Sequence, residues 1–231
     1  GRPPATSCTF AAEVPLTGPN VTITAIVADA AGNLGRGTIG VLSDSQPPLV
    51  VLDAPQAGLG TNAGSVRVAG RITDASPFEA TVGLVEGGSV PLAIGPDGTF
   101  AVDLPLPSSD GTATVRVTDV DRAGNSGEAS RPVVVDRTAP ALAVAAPREG
   151  ALLAVATTVA AGTVEDVHAV SVTVTTGPGT GTVAAARTEK AWTATVPTLA
   201  EGDNVVTVTA TDEAGNVSTL ARHVVVDTGA P

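Results

Sequence analysis

One pentapeptide, present in three copies about 90 residues apart, limits this chain more than any other feature. Asp29-Ala-Ala-Gly-Asn33 returns as Asp121-Arg-Ala-Gly-Asn125 and as Asp212-Glu-Ala-Gly-Asn216, at steps of 92 and 91 residues. A period of that length marks successive copies of one folding unit, so a structure assigned to one copy must suit the others. Each Asn is followed 11 positions later by another Asp, at Asp44, Asp136 and Asp227. These open the linkers DSQPP, DRTAP and DTGAP, which close on Pro48, Pro140 and Pro231.

The repeat extends upstream of the pentapeptide. Phe100 matches Trp192 at a step of 92, and Phe10 precedes Phe100 by 90; Pro55 with Pro147, Gly70 with Gly162 and Asp74 with Asp166 are each 92 apart. Residues 49–140 and 141–231 therefore read as two whole units, and residues 1–48 as the last part of another. In that first unit residues 9–48 are expected to supply three strands. Its earlier strands would lie upstream of Gly1 or come from another chain.

The alternation along each unit decides its secondary structure. In Asn204-VVTVTATD and Ala113-TVRVTD, apolar residues alternate with polar or β-branched ones, the period of a strand with one buried face. The alanine-rich stretch 151–164 could be read as a helix, but its counterpart GSVRVAGRITD alternates, and aligned repeats share one structure. In the middle unit strands are expected at 49–54, 65–73, 78–85, 90–94, 99–105, 112–119 and 129–136. Seven short strands in about 90 residues, parted by Gly, Pro, Asp and Ser turns, imply an antiparallel two-sheet sandwich of immunoglobulin-like topology. Phe10, Phe100 and Trp192 would then fill one equivalent core position.

Composition narrows the function. With 12 Lys+Arg against 23 Asp+Glu the net charge is −11, the wrong sign for phosphate backbones or anionic lipid. Hydrophobic residues make up 43% and charged ones 15%, enough to build cores. No apolar run reaches the roughly 18 residues that span a bilayer. The single cysteine, Cys8, can be a free thiol, pair with a cysteine outside this sequence or link two chains. Two histidines, one lysine and no tyrosine leave little from which to assemble a catalytic centre, and no phosphate loop, serine elbow or metalloprotease pattern occurs. The aligned counterparts of His168 and His223 are Ser76 and Pro132, so both histidines read as structural or surface residues. With three of four aromatics assigned to cores, only Phe78 remains for stacking on a sugar. The reading is a non-enzyme.

The pattern of "dG.F.v.lpL..G.n.v.v.atD.aGN" followed by "vvvDtxaP" resembles bacterial Ig-like domains, found in tandem in surface adhesins and as accessory modules of secreted polysaccharide-acting enzymes. The resemblance covers both whole units and residues 9–48. It implies an extracellular or cell-surface location and a spacer role in an adhesin-like repeat protein. Its alternatives are an accessory glycan-binding module, or a subunit of an extracellular filament completed by identical copies.

In such a sandwich the loops after the second and sixth strands sit at the pole where the chain enters, beside the incoming linker. That places Asp74, Asp119, Asp121 and Asn125 near Asp44, and Glu165, Asp166, Asp212, Glu213 and Asn216 near Asp136. Converging carboxylates and carbonyls suit a hard cation with six to eight oxygen ligands, and an interdomain calcium that stiffens each joint is one expectation. The other is that these are turn formers: Asp and Asn beside Gly bond local backbone and tolerate left-handed conformations. In either case the proline linkers, which run straight into the next strand, are short and semi-rigid. Each whole unit carries a net charge of −5, from 6 basic and 11 acidic residues in 49–140 and 4 and 9 in 141–231. Like-charged neighbours favour an extended array.

Overall fold

The computed structural model describes residues 7, 9–76, 78–177, 181–196 and 198–229, which excludes Cys8 and Pro231. Among the described residues every regular element is a strand, and the stretch 151–164 contains β structure rather than helix.

The second unit holds β3 (Leu49–Ala54), β4 (Leu59–Thr61), β5 (Ser65–Thr73), β6 (Phe78–Leu84), β7 (Ser89–Pro91), β8 (Thr99–Pro105), β9 (Gly111–Asp121) and β10 (Ser126–Val135), and follows β1 (Asn20–Ala28) and β2 (Leu34–Leu42). One sheet runs β3-β5-β8 and the other β4-β10-β9-β6-β7. Alternate residues of both sheets face inward, as the burial of Val66, Val68, Gly70 and Ile72 along β5 and of Ala113, Val115 and Val117 along β9 records. That alternation is the period-2 pattern of the sequence made into one packed core. The third unit repeats it with β11 (Ala141–Ala146), β12 (Ala151–Leu153), β13 (Thr158–Glu165), β14 (Val170–Thr176), β15 (Val183–Ala184), β16 (Ala186–Thr188), β17 (Ala191–Val196), β18 (Gly202–Asp212) and β19 (Val217–Val226). Its sheets are β11-β13-β17-β16 and β12-β19-β18-β14-β15. The two cores are separate clusters, one within residues 50–135 and one within 144–226.

The large aromatic of each core is seated by a glycine directly across the ladder. Gly70 is the register partner of Phe100, and Gly162 that of Trp192. A Cβ at either glycine would meet the ring at 2.9 Å and run into the carbonyl oxygen of Val51 or Ala143 on the neighbouring strand. The missing side chain thus lets ring and edge strand close over one spot, and Phe100 and Trp192 are left 5% and 2% exposed.

The sequence reading and the structure differ in two places. The second unit has eight strands rather than seven: after β3 the chain crosses to the opposite sheet, where β4 pairs parallel with β10, Leu59 opposite Val133. β12 does the same beside β19. A three-residue strand has too few positions for an alternation to register. In the first unit, two strands replace the expected three: β1 and β2 form a lone antiparallel hairpin, and no strand covers residues 9–19. Phe10 is therefore not a core residue but 71% exposed, because among the described residues no sheet faces β1 and β2 to receive it.

Candidate functional site: the joints between units

The joints are built by the repeated pentapeptide, which is a tight turn between the last two strands of each unit. In the second unit the Asp121 N–H donates to the Asn125 carbonyl (3.0 Å) and the Gly124 N–H to the Asp121 carbonyl (3.2 Å). Gly124 has φ of 91° and Gly215 of 89°, the left-handed region in which glycine alone is unstrained. The Asp carboxylate closes the loop. Asp121 Oδ1 accepts from the Asn125 N–H at 2.9 Å and Oδ2 from its side-chain amide at 2.8 Å. In the third unit Asp212 and Asn216 repeat both bonds at 2.8 Å. These bonds hold the Asp121 carboxyl below the usual carboxylate range, the Asn125 amide first among them. The turn-forming expectation for Asp121, Asn125, Asp212 and Asn216 is thus realised in the geometry.

The same Asn reaches out of its own turn. The Asn125 amide also donates to the Asp44 backbone carbonyl at 3.2 Å, and the Asn216 amide to that of Asp136 at 3.0 Å. Each unit therefore holds the first residue of the linker that enters it. At the second joint the grip is double. Arg137 bonds the Pro107 and Ala63 carbonyls, each at 2.8 Å, and the Thr138 hydroxyl donates to Asp110 at 2.6 Å, all within the second unit. From the third unit Ser218 donates to the Pro140 carbonyl at 2.5 Å, while Asn62 of the second unit bonds the Asn216 side-chain carbonyl at 3.1 Å.

The carboxylates converge in two sets. Asp44, Asp74 and Asp121 each offer an oxygen such that the three lie within 4.8 Å of one another, and so do Asp136, Asp166 and the His168 ring. In the first set Asp74 and Asp44 each turn one oxygen onto backbone two residues on, and Asp44 Oδ2 accepts from the Ser76 hydroxyl. In the second set His168 Nδ1 lies 2.6 Å from Asp136 Oδ2 and 3.9 Å from Asp166 Oδ1. Glu165 does not join it: it is exposed and paired with Lys190 at 3.1 Å. Glu213 is exposed too, with its backbone against Gly60, and the Asp212 carboxylate accepts from Asn216 as that of Asp121 accepts from Asn125.

Asp119 stands apart. It is fully buried, lies two residues before Asp121 on the same face of β9, and neither of its carboxylate oxygens has a hydrogen-bond partner. Burial is the main influence on its acidity and, with the charges of Asp74 and Asp121, pushes its pKa up to about 6. The neighbouring Val120 N–H offsets part of that without reaching hydrogen-bond geometry.

Among the contributors to the joints that sequence reasoning missed are Ser76, His168 and Asn62. One signal was available, since Asp44 to Ser76 and Asp136 to His168 share the same spacing of 32 residues. Nothing in the sequence points to Asn62, which meets Asn216 from 154 positions away. A cleft of about 820 Å³ opens at the second joint between the Asp110 loop and the His168 and Lys190 loops.

Two-sheet sandwiches repeated in line, with polar side chains holding the intervening linkers, define a bacterial Ig-like tandem-repeat protein. More narrowly, the chain belongs to the family Glucodextranase, domain B, which matches it twice, over residues 47–137 and 140–228. No curated protein matches it. Among solved structures, the fibronectin(III)-like modules of Clostridium thermocellum CbhA superpose with a TM-score of 0.50 at 17% identity, covering 78% of this chain and 94% of theirs. That likeness shows the fold. A 1.5-MDa bacterial ice-binding adhesin is similar at 20% identity and a TM-score of 0.39, covering 91% of this chain and 75% of that one. A tetra-tandem repeat from the extending region of a large adhesion protein is similar at 25% identity and a TM-score of 0.35, covering 90% and 57%.

Proposed function

We propose that this chain is a non-catalytic spacer in a secreted or cell-surface protein, in which each Ig-like unit fixes the direction of the next. The observation that carries this reading is the bond from Asn125 to the Asp44 carbonyl and its repeat from Asn216 to the Asp136 carbonyl. A linker held through its backbone by the following unit cannot swivel freely, and at the second joint it is held by the preceding unit as well. The partners of each unit are its neighbours in the chain. Calcium at an acidic joint belongs to this proposal, supported by the convergence of Asp44, Asp74 and Asp121. Residual dipolar couplings on the 231-residue chain test the spacer: residues 49–140 and 141–229 should share one alignment tensor. Two independent tensors would exclude it.

A second reading rests on the family itself. A domain family that takes its name from a polysaccharide-acting enzyme supports an accessory role beside such an enzyme, with glycan contact made by polar groups or the exposed Phe10. Titration with soluble α-glucans, read by chemical-shift changes, tests it; no shift at millimolar glycan removes it.

A further inference from the structure

The two joints share backbone geometry but differ in side-chain chemistry. At the first, four carboxylates come from the linker and from the pole of the second unit: Asp44, Asp74, Asp119 and Asp121. None of them takes part in an ion pair among the described residues. At the second, side chains of the protein itself meet the carboxylates, His168 against Asp136 and Lys190 against Glu165. The counterpart of Asp119 in the third unit is Ala210, fully buried and apolar, and the counterpart of Ser76 is His168.

We infer that the first joint is a calcium site in which Asp44, Asp74 and Asp121, whose oxygens lie within 4.8 Å of one another, hold the ion with the buried, unpartnered Asp119 beside them, and that the second joint, closed by His168, takes no calcium. This deepens the spacer reading and rests on it only for the location of the site. A fully buried carboxylate with no partner is costly unless something outside the protein compensates it, because a charge in an apolar surrounding lacks both water and counter-charge. Asp119 is such a group, and it shares the inward face of β9 with Asp121. A divalent cation there would bridge carboxylates that otherwise repel. The donors are all oxygens, the Ser76 hydroxyl included, as a hard cation requires. At the second joint an imidazole nitrogen stands in that hydroxyl's place, a donor that suits transition metals better than calcium, and the buried fourth carboxylate is absent.

Isothermal titration of the 231-residue chain with calcium chloride, after treatment with chelator, tests the inference. One equivalent per chain is expected, with amide chemical-shift changes confined to residues 44–48, 74–80 and 119–125. Asp119→Asn, which keeps the shape of the side chain, should weaken binding at least tenfold, whereas Asp212→Asn should leave it unchanged. Circular dichroism melting of both variants verifies that they fold. Two equivalents, none, or shifts centred on residues 136 and 166–168 would overturn the inference. The alignment-tensor experiment in chelator reads the spacer independently, so either can fail alone.

Discussion

Asn125 donates one side-chain amide to two acceptors, the Asp121 carboxylate four residues back and the Asp44 backbone carbonyl 81 residues back. A turn that closes a unit is thereby also the clasp that holds the previous linker. Asn216 does the same with Asp212 and Asp136, but there the amide is buried rather than half-buried. Asn216→Ala should therefore cost more than Asn125→Ala, about 1–3 kcal/mol, because it leaves the Asp136 carbonyl and part of the Asp212 carboxylate unsatisfied in a buried place. Urea unfolding gives the stability, and the alignment tensors of the two whole units should separate in the variant.

Removal of the His168 ring exposes what it compensates. Asp136 is 4% exposed, and its Oδ2 accepts only the imidazole among the bonds described. His168→Ala is expected to lose about 1–3 kcal/mol in the third unit's transition. Restoring calcium chemistry is a sharper check. The double variant His168→Ser with Ala210→Asp copies the first joint, and calorimetry should then find a second equivalent of calcium.

The buried acid sets a pH dependence in calcium-free solution. Asp119 has a pKa of about 6 in the folded chain against an ordinary 3.8, so the native state binds the proton more tightly than the unfolded one. The folded state is then favoured by protonation, and its stability falls as pH rises from about 4 through 6. The full deficit, about 3 kcal/mol at 1.36 kcal/mol per pKa unit, holds above that window. Asp97, Asp110 and Asp121, held low chiefly by Thr99, Thr138 and Asn125, have the opposite sign and lose their contribution as pH falls below about 4. In chelator the second unit should be most stable near pH 4, as read by hydrogen exchange of the Val115 and Val117 amides. Asp119→Asn should flatten the limb above pH 4 while leaving the acid limb in place.

The glycine and aromatic pairs should be the most sensitive core positions. Gly162→Ala forces a Cβ into the Ala143 carbonyl and the Trp192 ring, and a loss of about 3 kcal/mol is expected, at the upper end of overpacking costs. Trp192→Ala should cost about 3–5 kcal/mol. Trp192 is the chain's one tryptophan and is 2% exposed, so its emission maximum follows the third unit alone. Under Gly70→Ala that fluorescence transition should not move, since the two cores are separate.

Much of the fold was legible because alternation and period are properties of neighbouring residues. The strands over 49–54, 65–73 and 99–105 and the turn chemistry of Asp-x-Ala-Gly-Asn needed nothing distant to be recognised. β4 and β12 escaped because their pairing partners lie some 70 residues on and each is only three residues long. Phe10 misled because equivalence in sequence does not supply the opposite sheet that buries Phe100 and Trp192. At the joints the acidic residues were visible, but not which of them would meet. The Asp136 contact with His168 depends on the path of a linker, which spacing alone does not specify.

The short parallel pairing of β4 with β10 bears on how a unit yields when its ends are drawn apart. The incoming linker leads through β3 into one end of that pair, and the outgoing linker leaves from Val135 at the other. Traction along the array thus slides the two strands lengthwise, in shear. The rungs from Leu59–Val133 to Thr61–Val135, and their copies from Ala151–Val224 to Leu153–Val226, must then break together rather than peel one at a time.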